Sequence, residues 1–219
     1  MTTPARSTDI LEALRPEDYL IENVSEVLTP ALAIYTEILD RNIAVTLDLV
    51  GSADRWRPHV KTAKLAYVMR RLVDRGVRNF KCSTTLELRV ACEVGAADVV
   101  LAYPAVGATR RRARALADEF PDALVSALVE NSDEIDGWRA SRVGLFIDVN
   151  PGMDRTGIEQ DRADEIALLA RAIKDAGIAF RGLHYYDGHL AKLDLAERER
   201  VAHAGYDRLI EITRAVESA

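Results

Sequence analysis

The chain has 219 residues, enough for one sizeable hydrophobic core. Its 48% hydrophobic and 29% charged residues exclude a disordered chain, and its formal charge of -6 argues against a general role on nucleic acid or an anionic membrane. No apolar run is long enough to span a bilayer, and the polar stretch Met1 to Asp9 lacks the apolar centre of a secretion signal. Cys82 and Cys92 fit neither a zinc-ribbon nor a redox spacing, so reduced thiols in a cytoplasmic protein are the expectation.

In chain order, Ser7 to Tyr19 reads as a small helix and Ala31 to Tyr35 as a strand. A first long helix follows over Thr36 to Val50. Six short apolar runs rich in β-branched residues then read as strands: Trp56 to Lys61, Asn79 to Cys82, Asp98 to Tyr103, Leu124 to Val129, Val143 to Val149 and Ala179 to Tyr185. Helical patterns lie between them. Thr84 and Glu87 have capping-box spacing ahead of a helix that ends near Gly95. Ala113, Leu116, Ala117 and Phe120 repeat at helical spacing before Pro121. Ala163, Ile166, Ala167, Ala170 and Ile173 do so before Gly177, and Asp194 to Ala219 reads as one final helix. Regular alternation predicts βα units and a parallel sheet, and several strands are apolar on both faces, as buried parallel strands are. A closed barrel of this class needs eight strands. The expectation is therefore an α/β chain: residues 1-35 as an N-terminal arm, residues 36-219 as a partial (β/α)8 barrel of about six strands, or else an open sheet.

Folds of this kind carry their functional residues at the C-terminal ends of the strands. The first strand end offers His59 and Lys61, the second Lys81, Cys82, Ser83 and Thr84, and the third Tyr103. The fifth offers Asp148, Asn150, Asp154 and Arg155 around the Gly152 turn, and the sixth His184, Tyr185, Tyr186, Asp187 and His189. A lysine dried out at a barrel mouth loses its proton more readily and can form a Schiff base with an aldehyde. For His184, Asp187 and His189 a satisfied structural network is the simpler reading than a metal centre. Tyr103 and Tyr185 read as packing residues, and Arg110, Arg111, Arg112 and Arg114 as a solvated face.

Five segments share an order and spacing with one family. Arg57-Pro58-His59-Val60-Lys61-Thr62-Ala63-Lys64 resembles the lysine motif of the D-threonine aldolase and D-serine dehydratase family, within the alanine-racemase-like pyridoxal-phosphate enzymes. Phe80 to Thr84 with Glu87, Asp98 to Tyr103, Asp148 to Gly157 and Gly182 to His189 resemble its second-strand, third-strand, arginine-turn and sixth-strand motifs. Together they cover roughly Pro30 to Leu190.

The resemblance implies a barrel of the alanine racemase N-terminal type. It implies a pyridoxal-phosphate-dependent lyase acting on a small-molecule D-3-hydroxy-amino acid; a cytoplasmic homodimer is the expectation. Lys61 would bind the cofactor aldehyde and later serve as acid or base at the substrate Cα. Arg155 would donate to the cofactor ring or its phenolic oxygen, His184 and Tyr186 would line the pocket, and His59 would tune the lysine or touch the cofactor. The chain departs from the family at Ala63, where histidine is familiar, and at His184, where glutamine is common. Family members continue into the last barrel strands, a glycine-rich phosphate-binding segment and a β-domain that binds a divalent metal; this sequence offers no ligands for that metal. A pyridoxal-phosphate-binding barrel without turnover, or an inactive fragment, are the alternatives.

Overall fold

The computed structural model describes residues 15–219. The chain divides into two compact units, one ending at Leu49 and one spanning Val50 to Ala219. Most of the helix expected over Ser7 to Tyr19 lies outside the described residues; its last part is a short 3₁₀ turn, Pro16–Tyr19. The strand expected over Ala31 to Tyr35 does not form, and the segment is irregular. Tyr35 instead anchors it, donating its hydroxyl to the Tyr19 carbonyl at 2.7 Å with the two rings edge to face. Helix α1, Thr36–Val50, follows as expected.

The second unit is a parallel sheet of six strands with helices. Strands β1 (Asn79–Cys82), β2 (Asp98–Pro104), β3 (Leu124–Val129) and β4 (Gly144–Asn150) lie side by side in sequence order. β5 (Ile158–Glu159) adds two residues to the end of β4, and β6 (Phe180–Tyr185) pairs with β4 along its length. Helices α2 (Ala66–Asp74), α3 (Thr85–Glu93), α4 (Gly107–Glu119), α5 (Ala163–Asp175) and α6 (Leu195–Ser218) accompany them.

The strand count agrees with expectation, but one member differs. Trp56 to Lys61, read as the first strand, contributes only an isolated parallel bridge between His59 and Lys81. Val60 donates to the Lys81 carbonyl and Lys81 to the Pro58 carbonyl, and the chain then turns, with Lys64 N–H reaching the Val60 carbonyl. Proline lacks the N–H that a longer ladder would need. The sixth strand is β5, which two residues are too few to announce.

Local chemistry explains the helix starts. Thr84 accepts the Glu87 N–H at 3.1 Å, as its spacing predicts, while the Glu87 carboxylate takes the Ser83 N–H at 2.7 Å. Asp194 caps α6 through the Glu197 N–H at 3.0 Å. The arginines of α4 are not all a solvated face. Arg114 donates to the Gly137 and Ala140 carbonyls and Arg110 lies over the buried Trp138, so these two clamp the 3₁₀ segment Ser132–Trp138.

Successive residues Val99, Val100 and Leu101 are all buried, so β2 is covered on both faces. Val100, Ala102 and Leu128 form one buried cluster, with Phe146 packed on it, on the face opposite the helices. That face is concave. Lys81 on β1 meets His184 on β6 at 3.2 Å although β2, β3 and β4 intervene. In a flat sheet those strands would stand roughly 19 Å apart, beyond the combined reach of a lysine and a histidine. At the other end, Arg181 on β6 donates to Asp98 on β2 at 2.7 Å. Gly144 makes that crossing possible: a Cβ there would sit 2.6 Å from Arg181 Cγ. The sheet is thus an arc of an α/β barrel, pinned by side chains near both ends of its strands.

Candidate active site

The C-terminal strand ends converge as the fold predicts. Lys81 (β1), Ala102 and Tyr103 (β2), and His184 (β6) line one small cavity with Tyr186, just past β6. Arg155 from the turn after β4 and His59, Lys61 and Ser83 from the β1 side complete it. All five residues predicted for the site, Lys61, His59, Arg155, His184 and Tyr186, are therefore together. The larger recess of about 760 Å³ in the first unit brings together none of them.

Tyr186 forms the floor. Its ring lies 5.7 Å from Lys61 Nζ, 5.1 Å from Lys81 Nζ and 5.4 Å from Arg155 Cζ. Each is within the range where a cation is drawn to an aromatic face. Gly188 makes room for the ring, since a Cβ there would fall 2.4 Å from it. Arg155 forms no ion pair among the described residues, neither with Asp148 nor with Asp154. Its guanidinium carbon lies 5.4 Å from the Tyr186 ring and 5.8 Å from the Tyr103 ring. Tyr103 is 48% exposed at the rim, so it is not the packing residue its strand position suggests. Tyr185 is half-buried and donates to Gln160.

His59 and Lys61 do not alternate along a strand. They are linked through the turn: the Lys61 N–H reaches His59 Nδ1 at 3.3 Å. Nδ1 then accepts, so the proton of the neutral ring sits on Nε2 and faces Ser83 Oγ at 3.2 Å. Burial, and then the Lys61 and Lys81 cations, hold His59 down from 6.5 to about 4. It is a neutral donor at physiological pH. Lys61 itself is exposed at the mouth.

Two residues carry more than their sequence positions indicated. Lys81 is half-buried, and its pKa is lowered by burial first and then by Lys61, with Arg155 and Arg57 adding to the effect against Asp148. His184 does not point free into the pocket. Its Nδ1 meets the buried carboxylate of Asp148 at 2.6 Å, and its Nε2 meets Lys81 Nζ. Cys82 is fully buried, and burial raises its thiol pKa, which makes it inert. Among the described residues no three His, Cys, Asp or Glu side chains group so as to hold a metal ion.

Two lysine amines and a guanidinium thus surround one aromatic face, while the nearby carboxylate, Asp148, is held behind His184. Such a cluster repels itself until an anion joins it. An amine, a guanidinium and an aromatic platform suit a flat, anionic aromatic aldehyde such as pyridoxal phosphate. The cavity measures about 40 Å³ and is open on one side, so such a ligand would extend beyond it.

Protein-family models and curated proteins give no match to this chain. Solved structures do. D-threonine aldolase from Filomicrobium marinum superposes with a TM-score of 0.80 at 26% identity, over 89% of this chain and 54% of that one. D-threo-3-hydroxyaspartate dehydratase from Delftia sp. HT23 gives 0.73 at 23% identity, over 88% and 53%. An alanine racemase-like protein from Idiomarina loihiensis gives 0.63 at 18% identity, over 82% and 48%. The chain spans about half the length of each, and with the latter two it shares the fold alone.

Proposed function

We propose that this chain, a structural relative of D-threonine aldolase over 89% of its length, binds pyridoxal phosphate through Lys61 and serves a lyase acting on D-3-hydroxy-amino acids. The observation that carries the reading is the ring of Lys61, Lys81 and Arg155 about Tyr186, a set of basic groups around an aromatic floor at the strand ends. Bound there, the cofactor supplies an electron sink for a bond broken at the substrate Cα. Lys61 is its covalent anchor, the exposed amine in the segment that resembles the family's lysine motif. Arg155 would donate to the cofactor ring or its phenolic oxygen, and a cationic donor there would limit the ring as an electron sink compared with an acidic partner at the pyridine nitrogen. Tyr186 supports one face of the ring. His59, neutral and bonded to the Lys61 backbone, fixes the turn from which Lys61 projects and adds no competing charge.

The test is titration of the purified chain with pyridoxal phosphate, borohydride reduction and peptide mass analysis. The expected result is a visible absorbance band in the wild type, absent from Lys61→Ala, with the reduced adduct at position 61. An unmodified position 61 under saturating cofactor overturns the reading.

A further inference from the structure

Lys81 has no assigned part in the anchoring of a cofactor, yet it is the most elaborately held amine of the site. Its Nζ lies 3.2 Å from His184 Nε2, and His184 Nδ1 lies 2.6 Å from Asp148 Oδ1. Asp148 is buried, and among the described residues its ion-pair partner is His184. A carboxylate that accepts Nδ1–H leaves the Nε2 lone pair facing the lysine. The order carboxylate, imidazole, mobile-proton group is that of a hydrolase triad, with an amine in place of the hydroxyl. On its other side Lys81 Nζ faces the Tyr186 ring at 5.1 Å, on the wall of the same cavity as Lys61.

We propose that Asp148, His184 and Lys81 form a proton relay in which Lys81 takes the hydroxyl proton of a 3-hydroxy-amino acid bound over Tyr186; the substrate class rests on the function proposed above. In the resting relay Lys81 is an uncharged amine that donates one N–H to His184 and turns its lone pair to the mouth. The substrate O–H bond breaks and a new N–H bond forms at Nζ. A proton already on Nζ passes to Nε2, and Asp148 balances the imidazolium. The oxygen's electron pair forms the carbonyl as the Cα–Cβ bond breaks, and the pair from that bond stays on Cα, where a bound cofactor would supply the electron sink. The surroundings of Lys81 push in the direction a proton acceptor needs: burial first, then Lys61, with Arg155 and Arg57, lowers its pKa from the ordinary lysine value against the opposing pull of Asp148. Lys81 is then a catalytic residue, and His184 and Asp148 are positioning residues that act through it.

Two measurements test this. The first needs no cofactor. Trace acetylation across a pH series, read by peptide mass analysis, compares Lys81 with exposed Lys192 in the same sample. Lys81 is expected to react with a midpoint below that of Lys192; coincident profiles overturn the relay. The second uses the cofactor-loaded protein and D-threonine. K81M and K81R each should lower kcat about 100-fold with KM changed little, since methionine has no lone pair for the proton and arginine stays protonated and cannot act as a base. H184Q should lower kcat similarly, and K81M/H184Q no further than either alone. Additive losses, an active K81R, or a loaded wild type without turnover overturn the proposal. Circular dichroism confirms that each variant folds. Borohydride trapping at Lys61 is run on every variant. Failure of the cofactor reading shows as an unmodified Lys61 in the wild type, and failure of the relay as normal trapping with none of the kinetic losses.

Discussion

Substitution of Asp98 tests the curvature of the sheet directly. Its carboxylate, 12% exposed, accepts from Arg57 at 2.9 Å and from Arg181 at 2.7 Å. A hydrogen bond to a charged group contributes about 1.5–3 kcal/mol. Arg57 and Arg181 are 30% and 27% exposed, so both recover some water when the carboxylate is lost. The lower end of the range, doubled, gives about 3 kcal/mol for Asp98→Asn. For a chain of this size that is a fall of roughly 6–12 °C in Tm. Urea and thermal unfolding followed by circular dichroism measure it. A double-mutant cycle with Arg181→Met isolates the contact between β2 and β6, with an expected coupling of about 1.5 kcal/mol, half the total. Strict additivity, a coupling below about 0.3 kcal/mol, would falsify the arc. Arg181 can meet Asp98 across two intervening strands only if the sheet is curved.

Two further outcomes follow from the site. His59 has a folded pKa of about 4 against 6.5 when unfolded, so the unfolded chain binds its proton first as pH falls. The stability it contributes is complete above 6.5 and drains away as pH drops toward 4. Screening at this half-exposed ring reduces it to about 1 kcal/mol. The urea midpoint of the wild type should fall across that interval by more than that of His59→Gln, and parallel profiles reject the assignment. Gly188→Ala places a Cβ 2.4 Å from the Tyr186 ring, which can swing aside at little cost to folding. Stability within about 1 kcal/mol of wild type is expected, with cofactor affinity reduced about tenfold or more; unchanged affinity argues against Tyr186 as the floor.

The sequence makes some of this architecture legible and hides the rest for physical reasons. β2 to β4 are visible because their apolar runs are long enough to show burial on both faces, and α3 and α5 because a cap or a stop glycine marks an end. Trp56 to Lys61 looks like a strand by composition, but a single bridge at His59 is all that Pro58 and the turn after Val60 permit. The five predicted site residues are found together because strand ends on one rim must converge. What composition cannot show is who meets whom across the barrel. Lys81 and His184 are 103 residues apart, and their contact depends on the closure of the arc. A usable signal was nevertheless present. Phe80 and Cys82 flank Lys81, Ile147 and Val149 flank Asp148, and these neighbours are buried. Alternation then turns Lys81 and Asp148 to the opposite face from them, the one that also carries His184. Once the sheet is known to curve toward that face, an amine, an imidazole and a carboxylate at matching depth have nowhere to go but toward each other. The same reasoning puts Val100, Ala102, Leu128 and Phe146 on that face as one apolar cluster. Asp148 is itself buried, so His184, and through it Lys81, is the partner left to satisfy its charge.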